Sequence, residues 1–171
     1  MNELNLNDGF IAQMLEQEAW KEISESHALT LDQLEMYKDK LDWEEVSGNC
    51  NIAWTAQILE KFKKRINWRE LSSRADRYLL SVEMLEQFKE NWDWNELSKN
   101  SDLPLAAIER FADLLDWKEL IDRYHDDMYN EEFVRKYQQY IPAAHFKGSC
   151  LWRKLVEDKA TRLRQQLGLG K

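Results

Sequence analysis

The densest gathering of reactive side chains is "HDDMYNEE", His125 to Glu132. It holds one imidazole and the carboxylates of Asp126, Asp127, Glu131 and Glu132. Such a set could ligate a divalent cation through oxygen, or pair a general acid with a base. Its spacing matches no metal-binding loop, and it overlaps one of the longest linkers in the chain, so it reads as a solvated acidic loop. His27, His125 and His145 are isolated from one another, and Cys50 and Cys150 lie far apart without metal-type spacing. Cys50 has no neighbouring His to activate it as a nucleophile. The terminal "GLGK" follows no strand and is not a phosphate loop. The expectation is therefore a protein that is not an enzyme and carries no cofactor or metal.

What stands behind these side chains is a repeat. "LDWEEVSGN" (from Leu41), "INWRELSSR" (from Ile66), "WDWNELSKN" (from Trp92) and "LDWKELIDR" (from Leu115) share a cap residue, a Trp and a Glu two places on. Aligning Trp20, Trp43, Trp68, Trp94 and Trp117 places Met14, Tyr37, Phe62, Phe88 and Phe111 six residues earlier. Ile11, Leu34, Leu59, Leu85 and Ile108 stand three before those. Copies begin near residues 6, 29, 54, 80, 103 and 129, a period of 23 to 26, and the sixth has Ala143 where Trp is due. A period of this length is the signature of a repeat array.

Each copy announces its helices. Asn7, Thr30, Thr55, Ser81 and Asn130 can cap a first helix, and Pro104 suits a first turn by its fixed φ. Leu29 with Leu34, Trp54 with Leu59, and Leu80 with Leu85 have hydrophobic-staple spacing. Asp42, Asn67, Asp93 and Asp116, each followed three residues later by Glu45, Glu70, Glu96 or Glu119, predict capping boxes opening a second, shorter helix. The Trp in its first turn is expected to fill the wedge between successive hairpins rather than to form a ladder for stacking ligands. Ser149 predicts the cap of a longer amphipathic helix, about 149–167, carrying Leu151, Trp152, Leu155, Val156, Leu163 and Leu167 and closing the array. The expected fold is an all-α solenoid of six short hairpins plus this helix, forming one domain over residues 1–171.

The Asp/Asn-Trp-x-Glu-Leu-Ser-x-Asn phrase, with Leu-x-x-Phe upstream, resembles Trp-anchored helical repeats of bacterial and giant-virus proteins, over residues 6 to about 146. That resemblance implies an architecture and no catalytic or binding residue. In size, acidity and helical character the chain is also similar to immunity proteins of bacterial polymorphic-toxin and contact-dependent inhibition systems.

The net charge of −8 is unevenly spread. Residues 1–46 carry twelve acids and three bases, and residues 94–132 carry eleven acids and four bases. Residues 133–171 reverse this, with nine bases and two acids. A basic track along the array is missing, which argues against direct nucleic-acid binding. The absence of a leader pattern or a long apolar run predicts a cytoplasmic protein without a membrane role. The expected partner is a basic protein, most specifically a toxin domain such as a nuclease, whose active site the chain would block. Expected contacts are Glu22, Glu25, Asp32, Glu35, Asp122, Asp126, Asp127, Glu131 and Glu132. The alternative is a general adaptor that takes a peptide through apolar linker residues such as Tyr78 and Met128.

Overall fold

The computed structural model describes residues 8–124 and 127–168. The described residues are all-helical, with short helices that pack neighbour to neighbour as a helical repeat. The chain divides into two compact units, 1–74 and 75–171. The first holds α1 (Asp8–Ser26), α2 (Leu31–Tyr37), α3 (Trp43–Gly48), α4 (Ala56–Phe62) and α5 (Trp68–Arg74). The second holds α6 (Val82–Gln87), α7 (Trp94–Lys99), α8 (Leu105–Arg110), α9 (Trp117–Ile121), α10 (Glu131–Tyr137), α11 (Ala143–Phe146) and α12 (Cys150–Gln166).

Within each unit, like helices of successive copies stack: α1 on α3 and α3 on α5 in the first, α6 on α8 and α7 on α9 in the second. The staple residues are buried, with Leu34, Leu59, Leu80 and Leu85 at 0% exposure. Thr30, Thr55, Ser81 and Asn130 cap as their types require, and Thr30 with Gln33 forms a complete capping box.

The second helices are capped differently from the expectation. The Oδ1 of Asp42, Asn67, Asp93 and Asp116 accepts from amides of the first turn, as predicted. The Glu does not reach back to the amide of Asp42, Asn67 or Asp116. Those N–H groups donate instead to a Ser of the preceding copy: Asp42 to Ser24 (3.0 Å), Asn67 to Ser47 (2.9 Å) and Asp116 to Ser98 (2.8 Å). Each of these hydroxyls donates onward to the Trp carbonyl four residues earlier, at 2.7, 2.5 and 2.6 Å. The reciprocal half of the box is thus replaced by a bond between copies.

The indoles are built into the corners. Trp43, Trp68, Trp94 and Trp117 donate Nε1–H to the carbonyls of Lys38, Lys63, Lys89 and Ala112. Each lies at the end of the preceding helix, where carbonyls lose their intrahelical partners. Four of the indoles then meet an aromatic of the next copy: Trp20 on Tyr37, Trp43 on Phe62, Trp94 on Phe111, and Trp117 on Tyr137, with centroids 4.8–5.2 Å apart. Trp117 is buried, whereas Trp20, Trp43, Trp68 and Trp94 keep one edge in water. The rings are wedges between copies, not a ladder open to solvent.

The two ends depart from the six-hairpin scheme. The first copy has no corner: α1 runs unbroken through Trp20, because Ala19 stands where other copies have a capping Asp or Asn, and Ala favours helix continuation. Its expected core residues Ile11 and Met14 are exposed. The sixth copy's second helix shrinks to the single turn α11, begun by Pro142 without a side-chain cap. Ser149 caps α12 through the amide of Trp152, as predicted. Only the start of α12 is core, however: Leu151 is fully buried, while Val156, Leu163 and Leu167 are exposed.

Charged residues also run from copy to copy. Glu16 pairs with Lys40 (3.3 Å) and Asp39 with Arg65 (2.6 Å), while Glu35 pairs with Lys61 (3.2 Å) and Glu86 with Arg110 (3.1 Å). Glu109 continues the second series with Lys136. In each series the acid of one copy meets the base one register position further on in the next.

Candidate protein-binding surface

The expected contact residues have unequal surroundings. Glu35 is held by Lys38 (2.8 Å) and Lys61 (3.2 Å), and hydrogen bonds from Lys38 and then Lys61 pull its carboxyl below the usual glutamate range. Glu131 meets Arg162 (2.7 Å) and Arg135 (3.9 Å), with Arg162 the chief cause of a lowered pKa. Asp122 closes α9 and accepts from the amide of Cys150 (3.1 Å), so it serves the start of α12. Each of these three carboxylates already holds a partner within the chain, while Asp122 and Glu131 remain exposed at the surface. The partner of Glu35 is the base at the matching position of the next copy, that of Glu131 lies in the basic C-terminal segment, and that of Asp122 is a backbone amide.

Glu22, Glu25 and Asp32 are exposed in the first unit, and Glu22 accepts a hydrogen bond from Ser26 (3.2 Å). Asp127 and Glu132 are exposed in the second unit and make no salt bridge among the described residues. Asp126, with His125, lies outside the described residues. Among the described residues no three His, Cys, Asp or Glu side chains come together to hold a metal. Cys50 and Cys150 are free thiols.

Asp127 and Glu132 flank two shallow depressions that share Met128. One, of about 460 Å³, is lined by Asp102, Leu103, Pro104, Asp127 and Met128, with Arg77 at its edge. The other, of about 240 Å³, is lined by Leu105, Met128, Glu132, Phe133, Lys136 and Tyr137. The floor is apolar because Leu103 and Phe133 are core residues seen edge-on, while Leu105 is 42% exposed. Four cations stand near this surface: Lys136 pairs with Glu109, Arg77 lies 3.8 Å from Asp102, Arg123 donates to the Met128 sulfur at 3.6 Å, and Lys154 pairs with Asp158 while also feeling the charge of Asp127. Two acids without a salt bridge on an apolar floor suit a segment that offers a Lys or Arg beside an apolar side chain.

Asp102 and Leu105 went unremarked as contacts in the sequence. The signal for Leu105 is its place just after the cap, a position filled by Glu131 in the next copy. Among the described residues no helix is long and apolar enough to cross a membrane. No protein-family model, curated protein or solved structure matches this chain.

Proposed function

We propose that the chain is a protein-binding helical repeat whose second unit takes a basic segment of a partner protein at the Asp127–Met128–Glu132 surface. The observation that carries this reading is the contrast in charge use. Of the other described carboxylates expected in that region, Asp122 and Glu131 hold partners within the chain, whereas Asp127 and Glu132 make no salt bridge among the described residues and stand beside an apolar floor. In its specific form the proposal is inhibition in the cytoplasm: the partner is a basic toxin domain, a nuclease by preference, and occupancy of its active-site surface neutralises it. Acidic side chains would then stand in for the phosphates of the toxin's substrate.

Selection from a displayed peptide library tests the binding step. Enriched sequences place Lys or Arg next to Leu, Met or an aromatic, and binding weakens as salt rises through the range where the Debye length falls below about 8 Å. The double variant D127K/E132K loses them. Enrichment of acidic or uncharged peptides overturns the reading. The inhibitor form is tested by co-producing the chain with the basic toxin domain encoded beside it: growth is rescued by the native chain and not by D127K/E132K.

A second reading, a general adaptor, draws on the apolar floor and on Tyr78, which is 57% exposed on a linker of the same unit. It predicts peptide binding that salt leaves unchanged and that Met128→Ala abolishes.

A further inference from the structure

The helices at the two ends of the chain each leave a stripe of side chains uncovered. On α1, Ile11, Met14, Leu15, Glu18, Glu22 and Glu25 fall within about 100° of the circumference, at 3.6 residues per turn. All six are exposed, Leu15 to 66%, and the stripe lies opposite Trp20 and Ser24, which face the next copy. Its first half is apolar and its second acidic. Among the described residues Glu18, Glu22 and Glu25 make no salt bridge, whereas Glu16, off the stripe, pairs with Lys40.

On α12, Val156, Ala160, Leu163 and Leu167 form a stripe flanked by Arg153, Lys159 and Arg164. It lies away from Leu151, which is buried, and Val156, Leu163 and Leu167 are 48%, 44% and 70% exposed. Among the described residues Lys159 and Arg164 make no salt bridge, though the charge of Lys159 is felt by Glu131, and Arg162, on the packed side, pairs with Glu131.

The two stripes match in length, about 21 Å each from Ile11 to Glu25 and from Arg153 to Leu167, at 1.5 Å per residue. They also match in kind when laid antiparallel. Ile11 and Leu15 then meet Leu167 and Leu163, Glu18 lies at Ala160 beside Lys159, Glu25 meets Arg153, and Glu22 falls at Val156, one turn from Lys159 and about one turn from Arg153. We propose that the occupant of each stripe is a second copy of this chain, α1 of one molecule docking antiparallel on α12 of the next. Repeat arrays bury the outer faces of their end repeats or pay in solubility, and an apolar stripe with an acidic half beside one with basic flanks is self-complementary across copies. Such a contact joins unlike surfaces, so each molecule keeps one free stripe of each kind for a further copy until the assembly closes as a ring or grows as a filament.

Sedimentation velocity of the full chain tests this. The native protein is expected to form species beyond the dimer as concentration rises at low salt, and to lose them at high salt. L15D and L163D, at exposed positions, are each expected to remain at the 20.6 kDa monomer. Mixed, they have one intact junction between them and form a species of twice that mass and none larger. A native protein that stays monomeric overturns the proposal, as does L163D associating like the native chain, which indicates α1 pairing with α1. The charge reversals E22K/E25K and R153E/K159E guard against a folding artefact: each is monomeric alone, with an unchanged helical circular dichroism spectrum, and association returns on mixing. Failure of that rescue also overturns it. D127K/E132K leaves self-association intact, so this result is separable from the partner-binding reading.

Discussion

Ser98 has a hydroxyl with two tasks: it donates to the Trp94 carbonyl and accepts from the amide of Asp116 in the next copy, in a fully buried position. Removing it strands a buried N–H, so Ser98→Ala is expected to cost about 1–3 kcal/mol in urea unfolding, while Ser101→Ala at an exposed site is silent. A cost for Ser98→Ala no larger than for Ser101→Ala contradicts the stitch. The indoles are graded by burial. Trp117, at 6% exposure, is expected to lose about 3–5 kcal/mol on truncation to Ala, and Trp43, with one edge in water, measurably less. The caps Asp42 and Asp116 were readable because donor and acceptor lie two or three residues apart. The Ser stitch was not, although Ser stood in the repeated phrase, because its acceptor role is realised 18 to 20 residues downstream. Asn49 and Asn100 close the same phrase, and they too work across copies. Asn49 donates to the carbonyls of Ser24 and His27, and Asn100 to that of Ala75.

At the scale of the element, one residue decides whether a copy bends. Ala19 occupies the position held by Asp42, Asn67, Asp93, Asp116 and, in the sixth copy, Pro142. Because α1 is continuous there, Ala19→Pro removes an interior hydrogen bond and clashes with the preceding turn, with an expected loss of about 3 kcal/mol by thermal unfolding. A neutral outcome would mean that the first copy has a corner like the others. The start of α12 was legible from Ser149, but its outer half was not, because periodicity marks an apolar stripe without saying whether anything covers it. The pairing of α12 with α10 through Arg162 and Glu131 has a pH consequence. The folded Glu131 carboxyl lies below its ordinary value, so the unfolded chain binds the proton more readily. Its contribution is complete above about pH 4.3 and is lost as pH falls through the lower folded value. Glu131→Gln is therefore expected to flatten the fall in urea midpoint below about pH 4.3, relative to the native chain.

At the scale of the molecule, net charge by segment is a poor guide to charge free for a partner. Of the nine expected contacts, Glu35 pairs with the base at the matching position of the next copy, Glu131 pairs with Arg162 of α12, and Asp122 accepts from the backbone amide of Cys150. Summing charges along the chain hides this, since the partner of Glu35 is Lys61, one repeat away. Glu22, Glu25 and Asp32 stay exposed in the first unit, and Asp127 and Glu132 form a short acidic surface around a methionine in the second; the functional account rests on the latter. Its most direct test is ¹³C-methyl NMR of the methionines during titration with a Lys- and Leu-containing peptide. The account predicts that the Met128 methyl shifts at low salt and recovers as salt is added, while Met36, 72% exposed in the first unit, stays still. A Met128 signal that does not move, or that moves equally with an acidic peptide of the same length, contradicts it.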